Sequence, residues 1–203
     1  RIYSATADGW TPWPAWGEEL GRDWFGLDSA DIARLLHDIE GLERQEPERQ
    51  APHKLSYYVR EPALAPTILA DVQNAIDRQR LHSNLVWSID ETRELGLLDI
   101  LPQRASKLDA IRYLMQAEQI AVTDTLFAGD SGNDLSVLAS EIPAVLVANA
   151  TADVRAEALR LAEAAGHRDR LYLASGRLTG LNGHYAAGIL EGLYHVFPEL
   201  RSP

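Results

Sequence analysis

Helical and strand-like spacings of apolar residues alternate along this chain and divide it into two stretches of different character. In the first, Ile32, Leu35, Leu36 and Ile39 recur at helical spacing. They predict a helix from about Ser29 to Leu42, with Ser29 or Asp28 as its N-cap. Lys54-Leu-Ser-Tyr-Tyr-Val59 alternates and is rich in β-formers, which predicts a strand. Pro66 opens a second helix to about Arg80, with Ile68, Leu69, Val72 and Ile76 on one face. Leu85 to Ile89 and Leu95 to Leu101 read as two more strands. The Trp-, Pro- and Gly-rich residues 1–17 read as a strand end and loop, and the charged residues 43–52 as a loop. Residues 10–100 are thus expected to form a compact α+β unit of order α-β-α-β-β.

The second stretch changes character. Ser106 caps a helix carrying Leu108, Ile111, Leu114 and Met115. A short strand at Thr125 to Ala128 leads through an acidic loop into a short helix at Leu135 to Leu138. Pro143 to Ala148 is continuously apolar, as in a strand covered on both faces. An Ala-rich helix over about Ala152–Ala165 and a short strand at Leu171 to Ala174 follow. A terminal helix from His184 to Val196 is expected to turn Ile189, Leu190, Leu193 and Tyr194 inward. Strands alternating with helices predict an α/β fold with a parallel sheet.

Composition narrows the function. At 203 residues the chain fits one domain or two small ones. Its 30 acidic residues outweigh 19 basic ones, for a net charge of −11, which argues against nucleic-acid or anionic-membrane binding. No apolar run is long enough for a membrane helix, and the N-terminal residues have no signal-peptide core. The absence of cysteine removes disulfides, a thiolate nucleophile and a cysteine zinc site. These features fit a cytoplasmic protein. An anionic substrate remains compatible, because a bound cation inverts the local field.

The run Gly129-Asp130-Ser131-Gly132-Asn133-Asp134 carries the clearest chemistry. It packs two carboxylates and an amide into one turn at the carboxyl end of an expected parallel strand, where open α/β sheets hold their ligands. Such oxygen ligands suit Mg²⁺, which is held by one or two carboxylates plus substrate phosphate. Standing alone, the same residues also describe a plain turn. Lys107, in the first turn of a helix, opposes the helix dipole unless its ammonium reaches an anion. An acidic metal loop and a helix-start lysine at one sheet edge suit phosphoryl transfer.

On these residues the sequence resembles the haloacid dehalogenase superfamily of Mg²⁺-dependent phosphatases. Ser106-Lys107 and Gly129–Asp134 are similar to its motifs III and IV. The wider wording resembles the sucrose-phosphate phosphatase group, at Lys54-Leu-Ser-Tyr-Tyr58, Leu98–Lys107, Phe127–Asp134 and Gly188-Ile-Leu-Glu-Gly192. The resemblance implies a Rossmann-like parallel sheet core over residues 101–203, a C2-type cap over 10–100, and residues 1–9 as the end of an N-terminal core segment. It further implies Mg²⁺ on Asp130 and Asp134, with Asp134 as the alternative holder of the metal's waters. Asn133 would hold phosphate or Lys107, and Lys107 would pair with phosphate and nucleophile. Arg104, Lys54 and Ser56 would contact substrate, a phosphorylated sugar. For Arg104 a surface salt bridge is the competing reading; Trp10, Trp13, Trp16 and Trp24 have faces that suit sugar stacking, and packing of the cap against the core is the competing reading.

The same resemblance exposes a gap. These enzymes attack phosphorus with the first Asp of an Asp-x-Asp motif, and no Asp here is followed two residues later by another. The core is therefore expected to lack its N-terminal strands, and the chain alone to be inactive. Ala174-Ser-Gly-Arg177 imitates motif II but follows motif IV, and reads as a turn. Three alternatives stay open. The chain is the phosphatase-like C-terminal domain of a sucrose-phosphate synthase, beside a fused glycosyltransferase. It is a mannosyl- or glucosyl-phosphoglycerate phosphatase. Or it is a non-catalytic sugar-phosphate-binding or interaction module.

Overall fold

The computed structural model describes residues 2–7, 9–178 and 180–201. Arg1 and Asp8, which belong to the expected N-terminal core segment, lie outside the described residues. The chain divides into two compact units, one ending at Ser106 and one beginning at Lys107.

The first unit opens with a hairpin of β1 (Tyr3–Thr6) and β2 (Gly9–Pro12), then α1 (Pro14–Gly21). The sequence predicts a strand end and loop over residues 1–17, and a helix forms as well; Pro14, placed at the start of α1, is compatible with it because its missing N–H is not needed there. Helix α2 (Ser29–Leu35) begins at Asp28, whose carboxylate accepts from the N–H groups of Ala30 and Asp31. It stops well short of Leu42, and Gly41 follows at φ +86. The expected charged loop contains a short edge strand, β3 (Leu42–Arg44). Then come β4 (Leu55–Val59), α3 (Ala65–Arg78), β5 (Ser83–Asp90) and β6 (Leu95–Pro102).

These strands form an antiparallel sheet of order β3-β4-β6-β5. Strand alternation sends Leu55, Tyr57 and Val59 to one face, where they pack with Trp24, Ile32, Ile68, Val72 and Ile76. Lys54, Ser56 and Asp99 fall on the other, polar face. Ser56 stands directly opposite Asp99 in the β4–β6 register.

The second unit runs α4 (Lys107–Ala117), β7 (Phe127–Gly129), α5 (Leu135–Leu138), β8 (Ala144–Leu146), α6 (Ala152–Ala164), β9 (Leu171–Leu173) and α7 (Tyr185–Val196). Its sheet is parallel, of order β7-β8-β9. Ala144 and Leu146 pack with Leu138, Ala158 and Ala162 on one face, and Val145 and Val147 with Ala174 on the other. Both faces of β8 are therefore covered, which accounts for its unbroken apolar sequence.

Helix α7 departs from expectation. Ile189 and Leu190 face outward, at 43% and 39% exposure, while Gly188, Glu191 and Gly192 are buried. Close approach is the reason. A Cβ on Gly192 would stand 2.0 Å from Val145 Cγ2, and one on Gly188 2.1 Å from the Gly183 carbonyl. The helix lies on the sheet through its smallest residues, so its larger apolar residues are rotated away.

Glu191 makes that packing specific. It is 1% exposed, and its carboxylate accepts from the Tyr172 hydroxyl (2.9 Å) and from the N–H groups of Ser175 (3.1 Å) and Gly176 (2.8 Å). Burial pushes its pKa up, but these donors and the Arg177 N–H outweigh that and hold it below the ordinary glutamate value. A depressed folded pKa contributes stability that is present at neutral pH and lost as pH falls through the folded value. Glu191→Gln is expected to destabilise the protein by about 2–4 kcal/mol at pH 7. In urea unfolding series the deficit should shrink below about pH 4; a deficit independent of pH would contradict this role.

Candidate active site

Strand β7 ends at Gly129 and the chain turns at once into the acidic loop. The carboxylate of Asp134 folds back against the strand end and collects the loop's donors. Its Oδ2 accepts from the N–H groups of Asp130 and Ser131, both at 3.1 Å, and from the Ser131 hydroxyl at 2.9 Å. Its Oδ1 accepts from Lys107 Nζ at 2.5 Å. Gly129 makes room for this: a Cβ there would lie 2.7 Å from Asp134 Cβ and 2.8 Å from Oδ2.

The ion pair is asymmetric. The Asp134 side chain is 7% exposed and that of Lys107 53%. A buried carboxylate thus fixes an ammonium whose other N–H donors remain available to an incoming anion. Burial raises the Asp134 pKa, but Lys107, the Ser131 hydroxyl and the two backbone donors together hold it below the ordinary aspartate value. Asp134 is accordingly ionised at neutral pH, with donors on both of its oxygens.

Asp130 differs. It is exposed, and the Asn149 amide donates to its Oδ2 at 2.9 Å. It is the more exposed of the two carboxylates, and an exposed oxygen donor of this kind fits Mg²⁺. Among the described residues no three His, Asp or Glu side chains cluster as a ready metal cage. A cation on Asp130 would therefore draw its other oxygens from water, phosphate or another segment.

The remaining residues singled out in the sequence fall in different surroundings. Asn133 lies exposed in the short 3₁₀ turn before α5. Arg104 belongs to the first unit, where its guanidinium pairs with Glu19 at 2.5 Å and Asp23 at 3.4 Å. The structure thus engages it in the salt bridges that formed the competing reading. Lys54 Nζ pairs with Asp99 at 2.9 Å, and the buried Ser56 hydroxyl donates to Asp99 at 2.6 Å. These residues border a cavity of about 180 Å³ on the polar sheet face, lined also by Tyr58, Ser88, Asp90 and Arg93. Trp16 and Trp24 are buried, whereas Trp10 is 74% exposed. Ala174 to Arg177 is the turn closed by Glu191.

Residues 2–196 match the family model of sucrose-6F-phosphate phosphohydrolase. The chain belongs to this family. It is 48% identical over 201 residues to a HAD-like hydrolase of Nitrosococcus oceani, covering 99% of this chain and 54% of that protein. It is 28% identical over 182 residues to the mannosylfructose-phosphate phosphatase of Agrobacterium fabrum, covering 89% of this chain and 64% of that one. The solved sucrose-phosphatase of Synechocystis sp. PCC6803, in complex with sucrose and phosphate, superposes with a TM-score of 0.60 at 25% identity. That match covers 96% of this chain and 70% of the solved one. The chain spans between half and two thirds of the two curated relatives. The fold, with a parallel sheet flanked by helices and an additional antiparallel sheet, is consistent with the Rossmann-like α/β core plus cap of that family.

One residue in each unit escapes a reading by motif. Asn149 stands just beyond β8, and a polar residue at the carboxyl end of a strand next to β7 was the available signal. Asp99 appears in the sequence as one more strand carboxylate, and only its register with Ser56 marks it.

Asp134→Asn replaces one acceptor oxygen with a donor among four donors. It is expected to lower stability by about 2–4 kcal/mol in chemical denaturation. Lys107→Met leaves the buried carboxylate its three loop donors but no counter-charge, and should cost about 1–3 kcal/mol at pH 7, shrinking as Asp134 is protonated at low pH. A Lys107→Met deficit that does not shrink at low pH would contradict the pairing.

Proposed function

We propose that this chain is the cap and metal side of a Mg²⁺-dependent sugar-phosphate phosphatase, with sucrose 6-phosphate as substrate. The observation that carries this is the Lys107 ammonium, fixed by buried Asp134 beside exposed Asp130 at the carboxyl end of β7. Lys107 would hold a phosphate oxygen and offset the charge that gathers as phosphorus is transferred. Asp130 would be the metal ligand, and Asp134 the carboxylate that orients loop and lysine. Mg²⁺ bound there would supply Lewis-acid stabilisation of the phosphoryl oxygens.

In the reaction class that family membership suggests, an aspartate carboxylate attacks phosphorus and the sugar oxygen leaves with a proton. Water then attacks the aspartyl-phosphate, releasing phosphate and restoring the carboxylate. No Asp-x-Asp of this sequence supplies that aspartate, so we assign it to a segment outside residues 1–203. Among the described residues the outer edge of β7 pairs with no other strand, which leaves room for a further strand there. The polar face of the first unit, with Lys54 and Asp99 beside Tyr58 and Ser88, offers charged and hydroxyl groups for a sugar, with Ser56 holding Asp99. The likeness to the mannosylfructose-phosphate phosphatase supports a second reading, with that disaccharide phosphate as substrate.

Phosphate release from both sugar phosphates is the test. Residues 1–203 alone should show little turnover. A longer form carrying an Asp-x-Asp strand should turn over one of the two with Mg²⁺ and lose about 10²-fold or more on Asp130→Ala. Clear turnover by residues 1–203 alone, abolished by Asp130→Ala, would sink the claim of a separate nucleophile segment.

A further inference from the structure

Asn149 lies just after β8, outside the acidic loop, yet its amide is the group that touches the Asp130 side chain. Its two ends are assigned by their partners. The Oδ1 accepts from the Tyr185 N–H at 2.8 Å, so the Nδ2 end is the one that donates to Asp130 Oδ2 at 2.9 Å. Tyr185 begins α7 at φ +47, an unfavourable backbone conformation for a residue with a side chain, and the preceding Gly183 is at φ +77. Such a conformation persists only where its surroundings fix it. Here the fixing groups are the Asn149 amide and the bond from the Ala148 N–H to the Gly183 carbonyl, at 2.8 Å. Asn149 is therefore held at its amide oxygen by the start of α7, beside the Ala148–Gly183 bond.

Asp130 needs that support. Its backbone is held by Asp134, but its side chain is exposed and, without a partner, samples several rotamers. A hydrogen bond to Oδ2 selects one orientation and directs Oδ1 to another partner. The first-turn N–H of α7 bonded to the amide oxygen also polarises the amide toward a stronger donor.

We propose that Asn149 is a positioning residue, which takes its orientation from the start of α7 and holds the Asp130 carboxylate in the rotamer that receives the metal. This rests on the reading of Asp130 as a metal ligand. It differs from a capping role for Asn149, in which only the stability of α7 would depend on it.

Mn²⁺ binding to the full-length protein, followed by electron paramagnetic resonance of the free ion, separates these roles. Thermal unfolding of the metal-free protein runs alongside. The variants are Asp130→Ala, Asn149→Ala and Asn149→Ser. The serine hydroxyl still offers an acceptor to the Tyr185 N–H, which keeps the comparison open if the alanine variant fails to fold. Asp130→Ala is expected to remove binding in the range where the parent protein saturates. Both Asn149 variants should raise the Mn²⁺ dissociation constant about tenfold. If they bind Mn²⁺ like the parent while Asp130→Ala does not, the positioning role is overturned, whatever their unfolding temperatures. If Asp130→Ala itself binds like the parent, the metal role of Asp130 is overturned and the inference with it.

Discussion

One buried carboxylate organises the candidate site. Asp134 receives Lys107 on one oxygen and three donors from Asp130 and Ser131 on the other. Removing such a charge from water costs several kcal/mol unless its partners are in place. The loop therefore closes only in the form that satisfies it, and that form fixes the ammonium and the backbone of Asp130 together. Gly129 is part of the same constraint, because any side chain there would occupy the space of the carboxylate. The loop is a pre-set arrangement of one cation and one exposed anion, the pairing that the proposed phosphate and divalent metal would use.

A second buried carboxylate serves the frame instead of the chemistry. Glu191 ties α7 to the turn after β9, and the glycines on either side of it let that helix sit against β8. This fixes where α7 begins, and the start of α7 is where Asn149 takes its orientation. Packing on one face of the sheet and chemistry at its end are thereby linked through named contacts. In the first unit, Asp99 plays a comparable part, holding Lys54 and Ser56 on the polar face of an antiparallel sheet whose opposite face is the core.

Much of this was legible in the residues. The acidic loop follows β7, Lys107 begins α4, and the continuous apolar run forms the strand covered on both faces, each from a strong local requirement. What depended on close approach was not legible. Helical periodicity alone put Ile189 and Leu190 inside, and only the contact of Gly192 with Val145 shows why the smaller face won. The short edge strand β3 carries too few residues for a period, and the charged surroundings of Leu42–Arg44 read as loop. Asn149 gave only the weak signal of a polar residue at a strand end, because its two partners, Asp130 and Tyr185, are distant in sequence. Arg104 had the right chemistry for substrate, but Glu19 and Asp23 lie within reach of it.

The central claim is a division of labour between two carboxylates, with Asp130 for the cation and Asp134 for the lysine and the loop. Anomalous diffraction from crystals soaked in Mn²⁺ tests it most directly. The account predicts a manganese peak within bonding distance of an Asp130 carboxylate oxygen, with the Asp134–Lys107 pair intact. A peak bonded to Asp134 with Lys107 displaced, or manganese elsewhere with Asp130 unliganded, would contradict it.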